Sequence, residues 1–294
     1  MPVAVLAPAK INLYLHVTGR RADGYHLLDS LVAFADIGDR LTAQPANALS
    51  LEVTGSAAAS LSVARDDNLV LRAARLLADL AGVAGGAALH LEKNLPISAG
   101  IGGGSSDAAA TLRALRHLWR VAISDEQLRE IGARLGADIP ACLYGRAVWT
   151  GGIGEQLEPA TGLPPAGILL VNPRKELPTV AVFKDWRGPF GYVGRFAPMP
   201  SDAAGLARML TPRRNDLTMA AIGHVPEIGA VLGRLAAFPG ALLARMSGSG
   251  ATCFALFANR TAAEAARAVV AAAEPWWWCA AGGFVSGASL ADCA

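Results

Sequence analysis

Pro96-Ile97-Ser98-Ala99-Gly100-Ile101-Gly102-Gly103-Gly104-Ser105-Ser106-Asp107-Ala108-Ala109 is the stretch that decides how the chain is read. Four of the five residues from Gly100 to Gly104 are glycine, giving a loop that can take positive φ and lie close to a ligand. A helix follows at once. Ala108, Leu112, Leu115 and Trp119 recur at helical spacing, while Arg113, Arg116 and Arg120 fall on other faces. A glycine-rich loop opening into a helix N-terminus offers a phosphate unpaired N–H groups and the positive end of the helix dipole. Ser105 and Ser106 add hydroxyls at the same place. One terminal interaction of this kind contributes roughly 0.3–2 kcal/mol, so a phosphate site here needs several N–H groups together with a metal or cationic side chains. The plainer alternative is a turn with Ser105 as an ordinary N-cap. Two nucleotide patterns are excluded. No lysine follows the glycines as a P-loop requires. The third glycine of G-x-G-x-x-G is replaced by Ser105 counting from Gly100, and by Asp107 counting from Gly102.

At 294 residues the chain is long enough for one large domain or two moderate ones with a sizeable core. Its 53% hydrophobic and 17% charged content is globular and excludes a disordered chain. A net charge of +2 gives no footprint for nucleic acid. Cys142, Cys253, Cys279 and Cys293 are far apart, with no C-x-x-C and no Cys/His spacing for zinc. Cys142 and Cys253 sit in apolar runs and are expected as buried thiols in a reducing, cytoplasmic compartment. Met1 to Val17 has no basic leader, and Lys10 and Asn12 interrupt its apolar run, so it is not read as a signal peptide. No uncharged apolar run approaches the roughly 18 residues of a membrane span. No heptad seam is visible, and a monomer or weak homodimer is expected.

Taken in order, Val3–Leu6 and Ile11–Val17 read as two short strands, the second from the alternation of Ile11, Leu13, Leu15 and Val17 with Asn12, Tyr14 and His16. Lys10 and Asn12 then share a face, and Lys10 on its own is a solvated strand-end lysine. Arg20 to His26 is a polar turn with Asp23-Gly24 at its corner. Tyr25 can stack on a base and His26 can hydrogen-bond its edge. Leu27 to Leu41 holds a further strand with Asp36 to Arg40 in a loop, and Leu49–Val53 another strand. Asp66-Asp67-Asn68 caps a helix through about Ala81, with Leu69, Val70, Ala73, Leu76, Leu77 and Leu80 buried. Ala88–Glu92 is the strand entering the glycine-rich loop. Ser124-x-x-Gln127 is a capping box for a helix that carries Leu128, Ile131 and Leu135 and stops near Gly136. Pro140 suits the first turn of the next helix. That sets Asp138 at its start, where an N-cap contributes about 1 kcal/mol.

Ala147–Thr150 reads as a strand. Pro and Gly then cluster from Pro159 to Pro165, and two domains, 1–160 and 161–294, are expected to join there. Ile168–Val171 is a strand, and Asp185–Thr211 is Gly- and Pro-rich and expected to be irregular and mobile. Asn215–Leu217 and Pro226–Phe238 look helical. Ala241–Arg245 and Cys253–Phe257 flank Ser247-Gly248-Ser249-Gly250-Ala251-Thr252, whose glycines suit close approach to the first loop or to phosphates. Thr261-x-x-Glu264 is a capping box for a helix ending before Pro275. Trp276-Trp277-Trp278 is expected to cover the core beside a last strand around Phe284.

Pro8-Ala9-Lys10-Ile11-Asn12-Leu13, the glycine-rich stretch and Ser247-Gly248-Ser249-Gly250-Ala251-Thr252 stand in the order of three signatures of the GHMP kinases, and nearly the whole chain resembles that family. The resemblance implies an α+β, two-domain fold with a ribosomal protein S5 domain 2-like N-terminal domain and a ferredoxin-like C-terminal domain. It implies ATP as co-substrate with Mg²⁺ bridging its phosphates. Pro96, Ile97, Ser98, Ala99, Gly100, Ile101, Gly102, Gly103, Gly104, Ser105 and Ser106 would bind ATP. Lys10, together with Asp138 in Gly136-Ala137-Asp138-Ile139-Pro140, would be catalytic. Arg21-Ala22-Asp23-Gly24-Tyr25-His26 is most like the members that phosphorylate the C2 hydroxyl of 4-diphosphocytidyl-2-C-methyl-D-erythritol in the non-mevalonate isoprenoid route. Asn12, Tyr25, His26, Thr179 and Phe183 would then bind that substrate, with Phe183 as a second aromatic face on the cytosine. No protein ligand for magnesium is matched. The small molecules are the expected partners, with neither nucleic acid nor membrane. A sister kinase for mevalonate, homoserine or a sugar would not need the Tyr25-His26 pair, and a non-catalytic relative would be expected to have lost Lys10 or Asp138.

Overall fold

The computed structural model describes residues 1–60 and 68–285; Asp66 and Asp67 of the expected cap, and Cys293, lie outside them. The two short strands expected at the start are one, β1 (Val3–Arg20). Its break at Pro8 is absorbed by bulges, with register shifts after Pro8, Asn12 and Val17 against β2 (His26–Ala46). β2 is also continuous, so Asp36 to Arg40 is strand and not loop. Gly38 permits this: a Cβ there would stand 2.3 Å from the Ala7 carbonyl oxygen. Asp39 is fully buried but satisfied, accepting from the Asn94 and Leu95 amides at 2.6 and 2.8 Å.

β3 (Ser50–Thr54), α1 (Leu69–Ala81) and β4 (Gly86–Glu92) follow. Asn68 caps α1 by accepting from the Val70 amide at 2.9 Å, and Leu71 is buried where Leu80 was expected. Next come α2 (Gly103–Leu118), α3 (Asp125–Ala133) with both bonds of the Ser124 capping box, and α4 (Ile139–Tyr144). β5 (Val148–Gly151) and β6 (Gln156–Pro159) complete a sheet of order β3-β4-β2-β5-β6, with β1 paired to β2.

The second half comprises β7 (Gly167–Asn172), α5 (Thr179–Asp185), α6 (Ala203–Leu210), α7 (Thr218–His224) and α8 (Glu227–Ala236). It ends in β8 (Leu243–Met246), β9 (Cys253–Phe257), α9 (Arg260–Ala273) and β10 (Trp278–Gly283), giving a sheet of order β10-β7-β9-β8. The segment expected to be irregular contains α6, capped by Asp202, and is tied to the first sheet through Gly191 N to Val17 O and Gly194 N to Asp29 Oδ2. Asn259, not Thr261, caps α9, because its side chain reaches the Ala262 amide at 2.9 Å. The last strand precedes Phe284. Trp277 and Trp278 are half-buried against two different cores, whereas Trp276 is exposed.

Strand alternation distributes the buried residues among three cores. Val32, Phe34 and Leu91 meet Leu77, Leu112 and Leu115 of α1 and α2. Ile11, Leu13 and Leu31 meet Ile168, Leu170 and Phe254, so the two sheets pack face to face. Leu169, Val171 and Phe257 meet Val231, Leu235 and Val270 of α8 and α9. β1 contributes to all three: Val3 and Val5 to the first, Ile11 and Tyr14 to the second, Leu15 and Val17 to the third. Cys142 and Cys253 are buried as expected, and burial pushes the Cys142 thiol up to about 11. No helix among the described residues is long and apolar enough to cross a membrane.

Arg245 on β8 joins these layers. Its buried guanidinium donates to the carbonyls of Leu13 at 2.6 Å, Leu210 at 3.0 Å and Arg213 at 2.6 Å. Burial and the neighbouring Arg213 lower its pKa to about 10, so it stays charged at neutral pH. Arg245→Met removes the donor to these carbonyls at once. The expected loss is about 3 kcal/mol of stability, read as a lower urea midpoint at unchanged m-value. An unmoved midpoint would contradict this role.

Candidate active site

Gly102 caps α2 in the left-handed conformation, at φ 63°, and makes no side-chain capping bond. The helix therefore starts earlier than Ser105, with Gly103 and Gly104 in its first turn. Its first amides open on a cavity of about 1180 Å³. The second glycine loop buttresses this turn from behind. A Cβ on Gly100 would stand 2.6 Å from the carbonyl oxygens of Ser247 and Gly250, and one on Gly248 would stand 2.5 Å from that of Gly100. Only glycine admits backbones this close. Thr252 N donates to Ala99 O and Ser247 Oγ to Gly100 O, both at 3.1 Å. β1 joins them through Lys10 N to Ile101 O at 2.9 Å and Asn12 N to Ser247 Oγ at 3.1 Å.

The floor of the cavity carries an ion pair. Lys10 Nζ lies 2.5 Å from Asp138 Oδ1, the lysine side chain 8% exposed and the aspartate 47%. Asp138 stands at the start of α4 but makes no capping bond. Its carboxylate faces Lys10 and the cavity, so capping does not account for it. Asn12 is buried beside them and donates from Nδ2 to Ser30 Oγ at 2.8 Å.

The mouth is aromatic. Tyr25 is 61% exposed, and His26 stacks on Phe183 with ring centroids 5.4 Å apart and planes 27° apart. Phe183 thus packs on His26 while lining the same cavity. Burial, helped by the Arg20 guanidinium, lowers the His26 pKa below the ordinary histidine value. Thr179 Oγ1 is 2.8 Å from Ser249 Oγ, joining α5 to the second glycine loop. All the sequence-derived site residues line this cavity except Ile101 and Ser106. Ile101 is in the core, and the Ser106 hydroxyl donates to the Pro8 carbonyl at 2.7 Å.

Comparison with known proteins identifies the family. The family model for the GHMP kinases N terminal domain matches residues 68–146, and that for the GHMP kinases C terminal matches residues 201–275. The chain belongs to the GHMP kinase family. It is a kinase with the two-domain fold of that family, and its co-substrate is ATP. A 4-diphosphocytidyl-2-C-methyl-D-erythritol kinase of Paramagnetospirillum magneticum is 54% identical over 265 residues, covering 90% of this chain and 92% of that one. One from Granulibacter bethesdensis is 48% identical over 290 residues, covering 97% and 96%. The crystal structure of a 4-(cytidine 5'-diphospho)-2C-methyl-D-erythritol kinase is 36% identical, covers 97% of this chain and all of its own, and has a TM-score of 0.79. Homoserine kinase from Cytophaga hutchinsonii, 17% identical with a TM-score of 0.72 over 97% of this chain and 94% of its own, shares the fold.

The kinase site includes a buried triad that sequence reading missed. Lys93 Nζ lies 2.5 Å from Asp39 Oδ2 and 2.7 Å from Asp107 Oδ2, beneath the first turn of α2. Asp39 lies 54 residues from Lys93 along the chain, so no local pattern announces the pair. The two carboxylates hold the lysine as an ammonium ion against the cost of burial. One ammonium serves two carboxylates, and Asp107 Oδ1 is buried without a partner. Burial, with Asp39 nearby, pushes the Asp107 pKa up from 3.8 to about 7 against the pull of Lys93. A carboxyl group whose pKa is raised by folding loses stability as pH rises from its unfolded value through its folded one, here from about 4 to about 7. Asp107→Asn keeps an acceptor for Lys93 and cannot ionise. Its melting temperature relative to the natural chain should therefore be more favourable at pH 8 than at pH 5. A difference that does not change with pH would refute the assignment.

Proposed function

We propose that this kinase transfers the γ-phosphoryl group of ATP to the C2 hydroxyl of 4-diphosphocytidyl-2-C-methyl-D-erythritol, in the non-mevalonate route to isoprenoids. The observation that carries the reading is the Lys10–Asp138 contact of 2.5 Å, at the floor of a cavity with a glycine-rich helix start on one side and an aromatic mouth on the other. The named activity of the relatives supports the choice of substrate.

Phosphoryl transfer depends on alignment and charge neutralisation more than on covalent help. The first-turn amides of α2 would cradle the phosphates. Asp138 would accept the hydroxyl proton, a contribution of about 10²- to 10⁴-fold. An alcohol is a poor acid, so the proton moves late and Asp138 chiefly orients the hydroxyl. Lys10 would hold that carboxylate and the nucleophile in place. Tyr25 and His26 would take the cytosine. No group of three potential metal-ligating side chains occurs among the described residues. Mg²⁺ needs few protein oxygens when phosphates and water supply the rest. Ser105, the serine of the pair that lines the cavity, would give it one oxygen, and the ion would neutralise charge on the phosphoryl group in transit. We further assign the chain to the cytoplasm as a monomer or weak homodimer, with its domains divided at residue 160.

³¹P NMR of the protein with Mg-ATP tests the substrate. A new phosphomonoester and ADP are expected with the cytidyl alcohol and not with mevalonate or homoserine. ADP formed only with another alcohol would discard the proposed substrate. For the base, Asp138→Asn should lose about 10²- to 10⁴-fold in turnover while calorimetry still registers binding of both ligands. Near-natural turnover would remove Asp138 from that role.

A further inference from the structure

Trp186 lies just beyond α5, 9% exposed and lining the cavity, yet none of the roles above uses it. Its indole meets the His26 imidazole edge-on, with centroids 5.5 Å apart and planes at 87°. Phe183 covers a face of the same imidazole, and Phe190 backs the indole at 5.8 Å. Trp186 is itself held, its amide donating to Val182 O at 3.0 Å. α5 is in turn tied to the second glycine loop through Thr179 and Ser249. His26 is thus confined by two aromatic rings from one anchored segment.

We propose that Trp186 is a positioning residue for substrate recognition, packing edge-on against His26 to fix the orientation of the imidazole and shield it from water so that it meets the pyrimidine end of the substrate. The inference rests on the cytidyl reading of the mouth. A neutral imidazole has one donor and one acceptor, and the usefulness of both depends on where the ring points. Arg20 at the end of β1, Asp23 in the turn, Lys184 in α5 and Arg187 after it line the same cavity as His26. Of these, the Arg20 guanidinium acts on the ring and disfavours imidazolium. The lowered His26 pKa agrees, with burial as its largest cause. Without the indole, water would reach that ring and the burial would weaken.

Trp186→Leu and Trp186→Phe in the full chain test this. NMR titration of His26 in the free protein should move up toward the ordinary value in the leucine variant and stay low in the phenylalanine variant. KM for the cytidyl alcohol should rise about two- to tenfold in the leucine variant. KM for ATP and kcat should not change, and phenylalanine should restore the cytidyl KM. Unchanged His26 titration with unchanged KM would overturn the proposal. So would a joint fall in kcat, ATP affinity and melting temperature that phenylalanine does not rescue, because that marks a mere packing role. If no cytidyl alcohol is turned over, a shifted His26 titration still supports the contact between the two residues and discards only the substrate.

Discussion

Gly100 and Gly248 lie where the two glycine loops touch, and neither has room for a side chain: a Cβ on Gly100 would meet the backbones of Ser247 and Gly250, and one on Gly248 would meet that of Gly100. That contact sets the rest of the site. It presses the loop before α2 against the loop after β8, and β1 is stitched to both through the amides of Lys10 and Asn12. A helix start whose amides are to face a ligand cannot also be capped by its own side chains. Here the missing cap is replaced by support from another part of the chain. Lys10 is placed by the same hydrogen bonds that place the loop, so the lysine and the helix start are fixed relative to each other.

Charge is handled differently at the surface of the cavity and beneath it. Lys10 and Asp138 form a pair that opens on the cavity, with the aspartate half-exposed. Beneath them, Lys93, Asp39 and Asp107 are all but sealed. Breaking such a buried set is costly because it strands a charge. Asp29 is a third case. It is buried, and it accepts from the Tyr14 hydroxyl at 2.6 Å and from Gly194 N at 2.6 Å. Burial, reinforced by that carboxylate, raises the Tyr14 pKa and keeps the phenol a donor. Each buried charge joins segments distant in sequence, so electrostatics acts here chiefly as a fastening between layers.

Features encoded within a few residues were legible in the sequence. The Ser124 capping box, the Asn68 cap and the loop-to-helix transition at Gly102 all follow from local backbone chemistry. So does the cavity-lining set, because its signatures are contiguous runs. The misreadings share a cause. β1 and β2 looked broken at Pro8 and at Asp36 to Arg40 because a bulge, or a buried aspartate satisfied from 55 residues away, cannot be seen in the run itself. Thr261 yielded to Asn259 because two capping residues stand two apart and only geometry chooses between them. The Lys93 triad and the Trp186–His26 contact join residues with no common pattern.

The three-way allegiance of β1 has a consequence for how the molecule comes apart. Its beginning belongs to the core under α1 and α2, its middle to the seam between the sheets, and its end to the core under α8 and α9. Regions that open independently are those with few contacts outside themselves. Here a single strand runs through every core, so neither half can open without dragging a neighbour's packing with it. β1 makes unfolding a concerted event and leaves the chain little opportunity to populate a half-melted form with an intact nucleotide site.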